Sequence, residues 1–96
     1  MFFEYGGVTF EWDDDKADLV YSKRKISFEE CCSVMFDERG CTQEDEREYG
    51  EQRYITVGMS NQARLLVVVW TQRGDKIRVI TAVKPSKTQI AEYQNG

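Results

Sequence analysis

Six apolar residues in succession, Leu65-Leu66-Val67-Val68-Val69-Trp70, stand between Arg64 and Thr71 and leave few folds open to this chain. Neighbouring side chains of a strand point to opposite faces, so an unbroken apolar run predicts a central strand covered on both sides. The run is far short of the ~20 residues that a membrane-spanning helix needs. On one side of it, Arg53 to Ser60 alternates Ile55 and Val57 against Tyr54 and Thr56. On the other, Lys76 to Ala82 forms a third strand-like segment. Asn61-Gln62-Ala63 and Gly74-Asp75 supply the turns, and a three-stranded antiparallel meander results.

The rest of the chain is helical in character or polar. Asp13-Asp14-Asp15 follows the short alternating segment Val8 to Trp12 and predicts a helix N-cap with acidic residues in the first turn. Ala17, Val20 and Tyr21 give that helix one narrow apolar face, and Lys23-Arg24-Lys25 marks its C-terminal end. Ser27-Phe28-Glu29-Glu30 reads as a capping box with Glu30 reaching back to the cap, ahead of a buried face of Phe28, Cys31, Cys32, Met35 and Phe36. Residues 37–52 hold seven acidic side chains against Arg39 and Arg47 and read as a polar connector, an acidic loop. Pro85 stops the last strand, and Ser86 with Gln89 forms a second capping box opening a short helix from Lys87 to Gln94, with Ile90 and Tyr93 inward. The order of elements is an α+β layout: a mainly antiparallel sheet, two N-terminal helices and a short C-terminal helix. Residues 1–96 form a single domain.

Composition narrows the chemistry. There is no histidine, which excludes Ser-His and Cys-His nucleophile pairs, a histidine-bearing zinc site and an imidazole acid or base. The three cysteines, Cys31, Cys32 and Cys41, are odd in number and two are adjacent, which fits reduced, buried thiols in a cytosolic protein and neither a disulfide framework nor a metal site. No cofactor is expected. The formal charge of −4 conceals a split: from Arg53 to Ala91 there are seven Lys or Arg residues against Asp75 alone. Arg53 and Arg78 are expected to converge at strand ends into a patch suited to phosphate, with Lys23, Arg24 and Lys25 extending it, as against a merely solvated basic face. Trp12 and Trp70 fall in apolar runs and are expected in the core, whereas Tyr49 and Tyr54 are candidates for stacking on bases.

A set of motifs in fixed order links these observations to a known family: Phe10-Glu11-Trp12-Asp13 with Lys16-Ala17, Ile26-Ser27-Phe28-Glu29-Glu30, Phe36-Asp37, Arg53-Tyr54-Ile55-Thr56-Val57-Gly58, Leu65 to Thr71, and Arg78-Val79-Ile80-Thr81-Ala82. From about Thr9 to Tyr93 the chain resembles the BrnT family. The resemblance implies a small RelE-like α+β fold and a ribonuclease toxin whose sheet presents basic residues to RNA. It further implies neutralisation by a BrnA-like antitoxin, with operator DNA bound only through that antitoxin. Arg53, Arg78 and Lys23 match basic positions of the family. The departures are Arg24 where the family commonly has histidine, Val83 where it has arginine, and Gln89-Ile90 where it has a Glu-Arg pair.

In the ribonuclease reading cleavage is metal-independent. Glu51 takes the ribose 2′-OH proton, Arg53 and Arg78 bind the developing charge, and Lys84 protonates the leaving oxygen. Lys23, Arg24, Lys25 and Arg64 bind the RNA. The alternative is a toxin homologue weakened by the replaced positions that acts as an antitoxin-binding, operator-regulating module. Both readings imply a cytoplasmic protein that makes no use of a membrane.

Overall fold

The structure, a computed structural model, describes residues 1–47 and 50–96. The element order is β1 (Phe2–Tyr5), β2 (Val8–Glu11), α1 (Asp14–Arg24), α2 (Phe28–Val34), β3 (Cys41–Asp45), β4 (Arg53–Met59), β5 (Leu65–Arg73), β6 (Lys76–Val83) and α3 (Lys87–Asn95). The strands form one sheet in the order β1-β2-β6-β5-β4-β3. Every neighbouring pair is antiparallel except β2 with β6, which run parallel. This is the expected α+β architecture, and its centre is the expected meander β4-β5-β6.

Local chemistry sets the helix ends. Asp13 Oδ1 accepts from the Asp15 N–H at 2.9 Å to open α1, and Lys25 closes it in the left-handed region with φ 58°. At the start of α3 both halves of the Ser86–Gln89 capping box are present. The box expected at α2 is half right. Ser27 Oγ accepts from the Glu30 N–H, but the Glu30 carboxylate turns inward, is 3% exposed, and accepts from Arg64 and Ser60 instead. A two-pronged guanidinium is a stronger partner for a carboxylate than one backbone N–H. On α1 only Val20 is fully buried, and Tyr21 is 53% exposed, so the apolar face is narrower than its spacing implied. Phe36 likewise lies beyond the end of α2 and is 44% exposed.

Two strands lie outside the expected pattern. Phe2–Tyr5 folds back on β2 through Gly6-Gly7, both at positive φ, and the ring of Phe36 leaves no room for a Cβ at Gly6. Cys41–Asp45, within the stretch read as a connector, pairs with β4 as an edge strand, its Thr42 hydroxyl 2.7 Å from that of Thr56. Its polar sequence is what edge strands carry to discourage pairing with other chains. This strand also leaves Cys41 exposed, whereas Cys31 and Cys32 are buried as expected.

Helices α1 and α2 cover one face of the sheet, and the main core forms there from Phe10, Trp12, Val20, Ile26, Phe28, Cys31, Cys32, Val34, Leu66, Val68, Val79 and Ala82. The register slips by one residue between Val69 and Trp70, which oppose Thr81 and Val79 and leave Ile80 as the extra residue of β6. On the second face α3 lays Tyr93 over Val57 and Val67, with Ile55, Leu65 and Val83 around them. Asp37 fastens this helix: its Oδ2 accepts from the Tyr93 hydroxyl at 2.6 Å and from the Met59 N–H at 2.7 Å. The short helix reaches only the end of β5 near Leu65, so Val69 is half-buried and the cover on this face is incomplete; Trp70, on the opposite face, packs half-buried against the main core.

Candidate functional site

Residues opposed across a sheet share a face, and successive pairings here define one row: Asp45 on β3, Arg53 on β4, Thr71 on β5, Arg78 on β6 and Glu11 on β2. This row crosses the face carrying α3, at the end the helix does not reach. Thr71 anchors it from below, its buried hydroxyl donating to the Gln52 carbonyl, which fixes the path of the chain from Glu51 into β4. Arg73 lies two residues beyond Thr71 on the same strand and therefore on the same face. Arg53, Arg73 and Arg78, with Lys16 from the first turn of α1, line a shallow depression of about 400 Å³, together with Asp13, Glu51, Val79 and Ile80.

Carboxylates occupy the guanidinium groups. Arg53 Nε donates to Glu51 Oε2 at 3.2 Å, and an Arg73 N–H donates to Glu51 Oε1 at 3.3 Å. Arg78 donates to Glu11 Oε2 at 2.8 Å. All three pairs are partly solvated, a class of ion pair worth only about 0–1 kcal/mol. An incoming phosphate, which also takes charge-assisted hydrogen bonds from arginine, can exchange with such carboxylates at small cost. The arrangement is thus a trio of guanidinium groups, with Glu51 held between two of them and Glu11 on the third, which can chemically accommodate an anion.

The structure brings together only part of the expected set. Arg53, Arg78 and Glu51 meet. Lys84 is exposed six residues beyond Arg78, about 20 Å away along and past β6, at the α3 end of the sheet. Its neighbour Val83 packs beside Val57, Val67 and Tyr93. Lys23, Arg24 and Lys25 end α1 far from Lys16, and Lys25 Nζ lies 5.5 Å from the ring centre of Tyr21. Arg64 sits at that same end of the molecule. It is clamped on Glu30 through Nε at 2.8 Å and a terminal N–H at 2.6 Å, and it also donates to the Lys25 carbonyl at 2.8 Å. Its hydrogen bonds hold the Glu30 carboxyl below the ordinary carboxylate range despite burial, and the carboxylate in turn raises the affinity of the guanidinium for its proton.

Arg73, Lys16 and Glu11 are the residues that sequence reasoning left out. Strand parity with Thr71 is the signal that places Arg73 beside Arg53, whereas Lys16 and Glu11 depend on the parallel pairing of β2 with β6, which no local pattern announces. Among the aromatic candidates, Trp12 is buried, and Trp70 is half-buried and stacked on Tyr54 with ring centres 4.6 Å apart, its indole N–H donating to Thr56. Tyr49 lies outside the described residues. Burial raises the Cys32 thiol to about 12 and the Cys31 thiol further, the reverse of an activated nucleophile. Among the described residues no group of three or more Cys, Asp or Glu side chains is gathered as for a metal ion, and no helix is long and apolar enough to cross a membrane.

Comparison with known proteins gives one family. The model described as the ribonuclease toxin BrnT of a type II toxin–antitoxin system matches residues 12–88. No curated protein matches the chain.

Proposed function

The chain belongs to the BrnT family of type II ribonuclease toxins, and on that premise we propose that it cuts RNA without a metal ion at the depression lined by Arg53, Arg73 and Arg78. The observation that supports this reading is the convergence of three guanidinium groups from three adjacent strands, with the Glu51 carboxylate shared by two of them. A scissile phosphate entering the depression displaces Glu51 from the arginines. Glu51 then takes the proton of the ribose 2′-OH, the freed oxygen attacks phosphorus, and the 5′-oxygen leaves, giving a 2′,3′-cyclic phosphate and a 5′-hydroxyl end. The arginines bind the charge that grows on the phosphate oxygens during attack. Lys16, on the rim, supplies the proton to the departing oxygen, a role that the distance to Lys84 leaves open. The partner that silences the toxin is a BrnA-like antitoxin, which carries the operator-binding function, and the pair works in the cytoplasm.

The test is expression of the chain alone in bacteria, with growth and transcript integrity followed beside the Arg53→Ala/Arg78→Ala double variant. Growth arrest with cut transcripts, abolished by the double change, is the expected result. Each lost donor is expected to cost about 2.7–4 kcal/mol in the transition state. A second reading draws on the carboxylates already paired with Arg53, Arg73 and Arg78: a weakened toxin that uses these arginines as ion-pair anchors for its antitoxin. Harmless expression together with tight antitoxin pairing, lost in the same double variant, supports that reading and refutes cleavage.

A further inference from the structure

Next to the arginine row, the open face of the sheet dips under α3 into a cleft of about 170 Å³ whose lining includes Gln43, Ile55, Val57, Gln89, Glu92 and Tyr93. It is smaller than drug-sized sites of roughly 300–1,000 Å³ and has room for a single planar heterocycle. Ile55, in its floor, stands two residues from Arg53 on the same face of β4, about 7 Å away. That is one ribose of separation between an anion held by Arg53 and a ring lying on Ile55.

The walls have the chemistry of a base reader. Gln89 and Glu92 are three residues apart on α3 and so stand side by side on one helix face. The capping box fixes the first: Gln89 Oε1 accepts from the Ser86 N–H at 2.8 Å, so the other end of the amide, its NH2 group, is turned away with two donors unspent. Glu92 supplies an acceptor-only carboxylate beside it. The ring of Tyr93 is held in place through its hydroxyl on Asp37 and closes the cleft with Val57. A carboxylate there repels phosphate, so the cleft suits an uncharged ring that offers donors. Guanine is the base whose Watson–Crick edge carries two adjacent N–H donors, N1 and N2, next to an acceptor, O6. Glu92 matches the donors and the Gln89 amide matches the acceptor.

We infer that the cleft between α3 and strands β3 and β4 is a guanine subsite, which places the base of the nucleotide whose 3′-phosphate lies on Arg53 and Arg78. This rests on the phosphate reading given above, and the experiment separates the two. Isotope-labelled protein is titrated with guanosine 3′-monophosphate and adenosine 3′-monophosphate, and backbone amide shifts are followed. The guanine nucleotide is expected to shift amides at both Arg53/Arg78 and Gln89/Glu92, and to bind about tenfold or more tightly than the adenine nucleotide. Glu92→Gln, an exposed change that leaves the fold alone, is expected to cut that preference below about threefold while affinity for the adenine nucleotide stays. Equal affinities, or a preference intact in Glu92→Gln, overturn the subsite while shifts at Arg53 and Arg78 keep the phosphate site. Shifts at neither set overturn both.

Discussion

Replacing Arg64 with alanine tests whether its ion pair with Glu30 is a structural clamp. In the folded chain Glu30 has a side chain 2% exposed, and three of the four hydrogen bonds around the pair come from Arg64. The fourth is donated by the Ser60 hydroxyl to Glu30 at 2.6 Å. Truncation leaves a buried carboxylate with Ser60 alone. Breaking a buried pair from one side costs about 3–5 kcal/mol. Arg64 is 35% exposed, so water enters where its stem was, and the lower end, about 3 kcal/mol, is the expected value. A domain of this size loses about 4–8 °C per kcal/mol, which gives a drop of roughly 12–24 °C in Tm. Urea unfolding followed by tryptophan fluorescence reads the same quantity at room temperature. The pH dependence carries a sign. The pair holds the folded-state pKa of Glu30 below its ordinary value, so its contribution is complete above the unfolded-state value and disappears as pH falls through the lower folded one. In Arg64→Ala burial is left to raise that pKa, and acidification stabilises Glu30 by protonating it. The stability gap between the two proteins therefore narrows from pH 7 toward pH 4. A gap below about 1 kcal/mol that does not change with pH would falsify the clamp. Weakened RNA binding at unchanged stability would return Arg64 to the RNA-binding set.

Other outcomes follow from the same geometry. Glu51→Gln keeps the shape of the row but removes the proton acceptor, so cleavage is expected to fall by about 10²–10⁴ while a nucleotide 3′-phosphate still binds; an unchanged rate excludes Glu51 as the base. At Asp37, burial raises the carboxyl pKa, but hydrogen bonds from Tyr93 and from the backbone of Met59 and Arg39 outweigh it and hold the group below its usual range. Asp37→Asn is expected to cost about 1–2 kcal/mol at neutral pH, with the loss fading as pH drops through the folded-state pKa, and a cost that persists at low pH counts against the charge. A disulfide reagent at mildly alkaline pH is expected to modify Cys41 rapidly in the native chain and all three thiols after denaturation; fast reaction of Cys31 or Cys32 would mean that α2 opens readily.

The caps were the most legible part of the sequence because Asp13, Ser27 and Ser86 act on N–H groups two or three residues away. The meander was legible for a related reason: its apolar alternation and its turns are contiguous in the chain. β3 escaped because Cys41-Thr42-Gln43-Glu44-Asp45 has no apolar face to announce it, and an edge strand needs none. β1 escaped because Phe2 and Phe3 adjoin and mask the alternation, although Gly6-Gly7 is a hairpin signal in its own right. Glu30 shows the limit of spacing. Position alone cannot choose between a cap three residues back and Arg64, 34 residues on in the turn before β5, and burial decides for the latter. At the site, pleat parity was enough to bring Arg53 and Arg78 together, and the same rule applied once more would have included Arg73. Lys84 fails on distance along the strand, a quantity that charge counting ignores.

The parallel seam between β2 and β6 joins Glu11 to Arg78 across 67 residues of chain. A growing polypeptide exposes its N-terminal hairpin and both early helices well before that seam can close, and pairings of such long range are slow to form. Of the three arginines, the one on β6 is the last to be made, so their cluster cannot assemble before Arg78 has been synthesised and β6 has paired.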